Sequence, residues 1–463
     1  MRIKRWVCIA LASMLLCGCS PLREKNDISS LPSLEPQNSL SYGEYEPYRA
    51  TLYYIDPQRN TLSTELREIE LVSSVPKGKQ IFEELLSGPK ERGLEGFGSE
   101  YTLKNIDITG GVANIYLLTE QNLSDQKKLA LCAALSNTAV DNLGVQYANL
   151  FFNEEPAYIA GRPCGLLGKT DLDMASFYES YLEKAAEPVW SIPVALYFLD
   201  ESKSYILTEV RTLSFEGENY LQEILYQLSL GPEYKHYLVS PLLPNYAFTY
   251  QGNFGSIGGD GLLSIDSLQK LFQNGSEQQM RQHMACLYHS FHGVVQGLRS
   301  MEFTRGMEKH TVTFSVSQLY LGEEVLLYFP SKDLKHLERF HHVVRSGRAH
   351  NLKTYLEELA EGPLKIEQTR ALPCFPADMG SEGVLGAEMR DNIAVVNFSA
   401  EMLYSLEGMQ QDELYLFLYA VVNTLCEDEA VWAVQFCFEG EIIDELGIFS
   451  LAMPLYPNIG LAQ

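Results

Sequence analysis

A Leu-Tyr strand followed at a nearly fixed distance by a helix that stops at Gly-Pro occurs three times, and this repetition constrains the fold more than any other feature of the chain. The copies read Leu52-Tyr53-Tyr54 with Leu85-Leu86-Ser87-Gly88-Pro89, Leu196-Tyr197-Phe198 with Leu228-Ser229-Leu230-Gly231-Pro232, and Leu327-Tyr328-Phe329 with Leu359-Ala360-Glu361-Gly362-Pro363. From Tyr to Gly the steps are 35, 34 and 34 residues. Recurrence at fixed spacing marks an internal repeat, so the 463 residues read as three related domains, each large enough to bury a core. The helices before the Gly-Pro carry apolar residues at i, i+3, i+4 and i+7, as in Leu221, Ile224, Leu225 and Leu228 or Leu352, Tyr355, Leu356 and Leu359. One stripe of each is therefore buried. Gly88, Gly231 and Gly362 supply a residue free to take left-handed backbone, and Pro89, Pro232 and Pro363 cannot continue a helix.

The elements around this landmark can be placed from periodicity. In the first domain Leu52 to Ile55 and Leu66 to Val72 read as a hairpin across Asp56-Pro57-Gln58-Arg59-Asn60, and Thr102 to Ile108 and Val112 to Leu117 as a second hairpin across Gly110-Gly111. A helix over Leu123 to Asn142 and a strand from Val145 to Phe152 complete it. The third domain matches with Ile393 to Phe398, a helix from Leu414 to Leu425, and Trp432 to Phe438, where Trp432, Val434, Phe436 and Phe438 alternate as one buried strand face. The fold class is α+β: three tandem ββαββαβ two-layer domains, the middle one degenerate. Boundaries fall at 49–161, 193–321 and 322–447, with a linker at 162–192 that holds a helix from Asp173 to Ala186, and an extended tail at 448–463. The second domain departs most, with Gly252, Gly255, Gly258, Gly259 and Gly261 read as a flexible hairpin or insertion. Thr311 to Ser317 alternates as a strand.

The N-terminus sets the expected location. Arg2, Lys4 and Arg5 precede an apolar run from Val7 to Leu16, a signal peptide over 1–18 that is too short for a comfortable bilayer span. It ends in Leu16-Cys17-Gly18-Cys19, which looks like a bacterial lipobox with Cys19 as the lipid-attachment residue. Two or three acyl chains on one Cys hold a protein firmly on a membrane, so the expected place is the outer face of the cytoplasmic membrane. Residues 19–48, rich in Ser, Pro, Glu and Asn, read as a disordered tether. Without the leader the charge is −28, against −25 for the whole chain, which argues against nucleic acid as a partner. Cys132, Cys286 and Cys426 sit in apolar helical stretches and read as buried thiols, while Cys374 and Cys437 share the third domain and are a candidate pair.

Several residues together resemble a known family. The Leu-Tyr-Phe strand, Glu357-Glu358-Leu359-Ala360-Glu361-Gly362-Pro363, Val395-Val396-Asn397-Phe398-Ser399 and Asn423-Thr424-Leu425 are similar to the GerMN domain of sporulation and germination lipoproteins, and Glu83-Glu84-Leu85-Leu86-Ser87-Gly88-Pro89 with Asn137-Thr138 repeats the pattern. The second domain has His289-Ser290 where Asn-Thr is expected and lacks the Glu-Glu pair. Members of this family are not known as enzymes. Their fold is similar to small ring-building modules of secretion systems and of the complex that links mother cell and forespore. The resemblance implies an assembly role in the envelope of a spore former, with envelope or sporulation proteins as partners and ring-like self-association as one form of contact.

Candidate chemistry is sparse. Gly168-Lys169-Thr170 looks like the end of a phosphate loop, but Pro163 stands where its first Gly belongs. His341-His342, with His336 and His350 nearby, lack partners at ligand spacing and read as solvated surface; His283 reads as a core-edge residue; His289 and His292 share a helix face, which leaves a weak zinc option. No nucleophile–base or paired-carboxylate pattern stands out, so no catalytic, metal or cofactor residues are assigned. Asn137-Thr138 and Asn423-Thr424 recur inside apolar helices. A buried amide left unpaired costs about 1 to 3 kcal/mol, so these residues are expected to bond the backbone of a neighbouring loop and fix the fold. Two function classes follow: a lipid-anchored, non-catalytic assembly protein, or a lipoprotein that binds a glycan or small molecule through its 27 Tyr and its irregular second domain. Resemblance to lipoproteins outside spore formers adds an accessory role for an envelope sensor kinase.

Overall fold

The computed structural model describes residues 45–72, 75–97, 100–170, 173–243, 261–265, 276–305, 307–348, 351–428 and 430–462. The leader, Cys19 and most of the tether lie outside them, as do Gly252, Gly255, Gly258, Gly259 and His350.

Strands β1 (Tyr45–Asp56) and β2 (Thr61–Val72) form a long antiparallel hairpin paired from Tyr45↔Val72 to Asp56↔Thr61. The first strand thus starts four residues inside the stretch read as tether, because Tyr45 to Tyr48 find partners on β2. The turn is shaped by the Asp56 carboxylate, which accepts the N–H groups of Gln58 and Arg59 at 2.9 and 3.2 Å. Helix α1 (Lys77–Leu86) follows, then the hairpin β3 (Tyr101–Thr109) and β4 (Val112–Thr119), whose turn places Gly110 and Gly111 at φ 58° and 82°. Helix α2 (Asp125–Leu143), capped by Ser124 and ended by Gly144 at φ 65°, crosses over to β5 (Tyr147–Phe152), which lies parallel to β4.

The second and third units repeat this plan with changes. The second has the hairpin β6 (Val189–Asp200) and β7 (Ile206–Glu216), then α4 (Tyr220–Leu230). Strand β8 (Leu262–Ile265), helix α5 (Glu277–His292) and β9 (Ser300–Arg305) form a parallel crossover, and β10 (Glu308–Thr313) pairs with β9. Helix α3 (Met174–Ala185) joins the first two units. The one-turn helix α6 (Phe314–Ser317) ends the strand expected over Thr311 to Ser317: the Ser317 hydroxyl bonds Phe314 O at 2.7 Å, and the turn puts the Phe314 ring 4.9 Å from Tyr116.

In the third unit β11 (Gly322–Pro330) and β12 (Leu337–Arg345) form the hairpin and α7 (Leu352–Glu361) follows. Strands β13 (Val384–Arg390) and β14 (Ile393–Phe398) are joined to β15 (Ala433–Phe438) through two helices, α8 (Ala400–Glu407) and α9 (Gln411–Leu425), so one helix more than expected lies in that crossover. All six residues of β15 are buried and Trp432 is 65% exposed, which corrects the one-faced pattern read from the sequence. Both faces of this strand are covered, as is usual for strands in parallel pairs.

The tail packs against the third unit. Val434 and Leu455 exchange N–H···O bonds of 2.9 and 2.8 Å, just as Ala148 and Leu167 do at 2.8 and 2.9 Å in the first. Residues 448–458 therefore correspond to 162–170, an extra edge segment laid against the last strand.

The core is divided unevenly. One continuous apolar cluster runs from Ala50 to Phe314 through the first two units, and a separate one runs from Val325 to Leu451 in the third. The first two units interlock through rings: Phe314 of the second meets Tyr116 of the first at 4.9 Å, and His292 of α5 stacks on Phe151 at 5.0 Å. The third docks by a seam that is largely polar. The Ser346 hydroxyl donates to Ile108 O at 3.2 Å, Lys235 Nζ pairs with Glu324 at 3.1 Å, and the Tyr237 hydroxyl donates to the same Glu324 at 2.6 Å.

Candidate functional site

The three Gly-Pro stops are each held by a buried acid and a buried cation. Gly88, Gly231 and Gly362 sit at φ 93°, 85° and 82°, a region that costs glycine little. Beyond each Pro the chain leaves free N–H groups. Glu65 on β2 accepts those of Lys90 and Glu91 at 2.7 and 2.9 Å, Glu209 on β7 accepts those of Glu233, Tyr234 and Lys235, and Glu367 accepts that of Leu364 at 2.7 Å. The cation answers the last carbonyl: Arg67 donates to Gly88 O at 2.9 Å and Arg211 to Gly231 O at 2.5 Å. In the third unit His342 takes that place and bonds Glu367 at 2.9 Å.

The same helix position supplies a third partner each time. Glu84 lies 3.0 Å from Arg67, Gln227 Oε1 3.3 Å from Arg211, and Glu358 3.9 Å from His342. Each cation also rests near the aromatic ring from the Leu-Tyr strand: Arg67 on Tyr54 at 5.9 Å, Arg211 on Phe198 at 5.4 Å and His342 on Phe329 at 5.7 Å. Burial works to raise the Glu65 and Glu209 carboxyls, but the backbone N–H groups and the guanidinium outweigh it and hold both below the ordinary carboxylate value. Burial likewise opposes a charge on His342, and Glu358 and Glu367 override it, raising its pKa to about 9. His342 is thus a buried cation, which corrects its reading as solvated surface.

Asn-Thr is a second recurring device. Thr138 accepts the Tyr53 N–H at 3.3 Å and Thr424 accepts the Tyr328 N–H at 3.1 Å; Ser290 does the same for Tyr197 at 2.9 Å. Asn137 bonds both ways with Thr170, its Nδ2 to Thr170 O at 3.4 Å and its Oδ1 from Thr170 N at 2.8 Å. Asn423 does so with Asn458 at 3.0 and 2.9 Å. His289 replaces this Asn in the second unit, stacked on Tyr197 at 5.0 Å, its pKa brought down to about 3 by burial and by His292.

The remaining candidates are held by structural contacts. His283 Nδ1 is 2.8 Å from Pro241 O, His336 bonds Glu338, and His341 pairs with Glu324 and stacks on Tyr237 at 4.9 Å. Burial works to raise the Glu324 carboxyl, but His341, Lys235 and Tyr237 hold it down at about 2. Lys169 of the Gly-Lys-Thr stretch pairs with Asp141 at 2.7 Å. Among the described residues no group of three or more His, Cys, Asp or Glu could hold a metal, and no helix is long and apolar enough to cross a membrane.

One cleft stands out at the junction of the first two units. It has a volume of about 550 Å³, with Gln146 and Tyr147 on one side and Arg211, Gln227, Tyr234 and Lys235 on the other. Its charged groups are already paired, Arg211 with Glu209 and Lys235 with Glu324. What remains is planar amides and phenol rings, a surface suited to a neutral hydroxylated ligand. Glu65, Glu209, Arg67 and Arg211 were absent from the sequence reading. Their signal is a Glu-x-Arg in the second strand, 23 and 22 residues before the Gly.

Comparison with known proteins matches part of the chain to one family and finds two similar solved structures. Residues 326–444 match the family Germane, described as sporulation and spore germination. The chain is similar to the tandem GerMN domains of the sporulation protein GerM from Bacillus subtilis, with 12% identity over 89% of this chain and 98% of that one and a TM-score of 0.22. It is also similar to the first GerMN domain of that protein, with 16% identity over 30% of this chain and 98% of that one and a TM-score of 0.22. No curated protein matches.

Proposed function

We propose that the protein, whose residues 326–444 match the Germane family of sporulation and spore germination, is a lipid-anchored, non-catalytic assembly protein of the spore or forespore envelope. Cys19 tethers it to the outer face of the cytoplasmic membrane, and its units work through contacts with envelope proteins or with further copies. The Germane match is the observation that carries this reading. Support for a role without chemistry comes from the acids and cations of the Gly-Pro clamps, which are engaged in holding backbone. Deletion of the gene, scored by heat-resistant spore counts and by germination, tests the role: normal values for both would sink it. Fractionation of a Cys19→Ala variant tests the anchor, and the variant is expected to leave the membrane fraction.

The junction cleft favours one alternative, a glycan-binding lipoprotein. Titration of the purified chain with soluble peptidoglycan fragments separates the two readings. Binding lost in a Tyr234→Ala, Gln227→Ala double variant would support the glycan reading.

A further inference from the structure

Helix α2 is laced to the segment that follows β5. The Asp125 carboxylate accepts the Ala160 N–H at 2.8 Å and Lys128 Nζ donates to Tyr158 O at 3.1 Å. Two turns on, the Ser136 hydroxyl lies 2.7 Å from Leu167 O and 2.8 Å from Gly168 O, and Asn137 then grips Thr170. Cys132 stands midway along this helix face, one turn from Lys128 and one from Ser136. Cys164 stands midway along the facing segment, its own N–H bonded to Ala157 O at 2.7 Å. The lacing places Cys132 and Cys164 in one apolar core, near enough for the Cys164 thiol to act on Cys132. They are 0% and 3% exposed and sit under Tyr181, whose hydroxyl bonds Pro163 O at 3.3 Å. Both are free thiols in this structure. The pair suggested by the sequence is not formed: Cys374 Sγ faces Leu359 O at 3.7 Å in the main core of the third unit, and Cys437 packs in a separate cluster with Val395.

We propose that Cys132 and Cys164 are the site of a disulfide that staples residues 155–170 to helix α2. The oxidant is an exogenous disulfide. One cysteine thiolate attacks it, forming a mixed disulfide and releasing one thiolate that takes up a proton. The second cysteine, losing its proton, attacks the sulfur of the first, and the other half of the oxidant leaves as a second thiol. Two electrons pass from the cysteines to the oxidant and the S–S bond closes. The neighbouring thiol and burial both raise the Cys132 pKa. In the folded chain exchange is therefore slow, and the bond closes as the chain folds. It fixes the route into the second unit, where Leu166 N bonds Pro193 O at 3.0 Å.

The purified chain tests this when it is unfolded in guanidinium, refolded with oxidised and reduced glutathione, alkylated under denaturing conditions and cleaved after Glu. Cleavage after Glu154 separates the two cysteines. The expected result is a pair of fragments bearing Cys132 and Cys164 that stay joined until reduced, with Cys286, Cys374, Cys426 and Cys437 alkylated. The oxidised form is expected to melt roughly 5 °C above the reduced form, and a Cys132→Ser, Cys164→Ser variant to melt alike in both conditions. Alkylation of Cys132 and Cys164, or their capture by glutathione or by other cysteines, overturns the proposal. A linked pair without the melting shift overturns the stapling role.

Discussion

His342 and Arg67 occupy the same place in the repeat. Each lies on the second strand of its hairpin, opposite Val325 and Ala50 respectively, and each partners an acid that caps the turn after Gly-Pro. The difference is that His342 can lose its charge. Its folded pKa of about 9 lies above the ordinary 6.5, so its contribution is complete below about pH 6.5 and is lost as pH rises through 9. At one pKa unit per 1.4 kcal/mol the contribution is at most about 3 kcal/mol. Calorimetric melts between pH 6.5 and 10 should show the third unit weakening, and His342→Arg should flatten that loss. An equal loss in His342→Arg would place its origin elsewhere.

The guanidinium of the first unit allows a sharper test. Arg67 is 3% exposed and bonds Glu65, Glu84 and Gly88 O together. Its removal leaves the Glu65 charge buried without a counter-ion, a change that costs about 3 to 5 kcal/mol. Arg67→Met should lower the urea midpoint by that free energy divided by the m-value. The Glu65→Leu, Arg67→Met double variant should recover part of it, because no orphan charge remains. A double variant no more stable than the single one would show that the pair acts mainly through Gly88 O and the N–H groups of Lys90 and Glu91.

Which parts of this fold could be read in advance depends on whether a residue keeps its place between copies. Gly88, Gly231 and Gly362 do, and so do Thr138 and Thr424, and these were legible. The acid of the clamp does not: it moves from the strand at Glu65 and Glu209 to the loop at Glu367, while the cation changes from Arg to His. The Glu-x-Arg spacing before the Gly holds in the first two units and is lost in the third. Strand alternation places His341 and His342 on opposite faces and does not say which face is inside. The contact of Phe151 with His292 joins residues 141 apart in sequence, so the shared core of the first two units was invisible to any local pattern. Cys132 and Cys164 likewise needed the lacing of α2 to bring them together.

The amide of Asn423 holds the tail through two bonds to the Asn458 backbone. Asn423→Leu keeps a similar volume but leaves both Asn458 groups unpaired, which costs about 1 to 3 kcal/mol. The full chain should melt lower, and residues beyond 450 should be cut by protease sooner than in the parent. Thr424→Val should lower the melt without exposing the tail, since Thr424 bonds Tyr328 N instead. An unchanged melt and unchanged cutting in Asn423→Leu would remove the tail from the role given to it.

The Gly-Pro stops differ from an ordinary left-handed helix end. Gly231 and Gly362 combine φ of 85° and 82° with ψ of −178° and −179°, a region that only glycine populates readily. Space is not the obstacle, since a Cβ on Gly231 would meet its nearest atom at 3.9 Å and one on Gly362 at 3.5 Å. Gly231→Ala and Gly362→Ala should therefore each destabilise through backbone strain alone, by about 1 to 3 kcal/mol. Gly161, also at positive φ with nothing near its Cβ but in an exposed turn, is the comparison. Its alanine variant reports the general cost of positive φ without the clamp. If Gly362→Ala costs no more than Gly161→Ala in urea melts, the clamp is tolerant of a shifted backbone, and the Gly-Pro stop is maintained by Pro363 and the acid rather than by glycine.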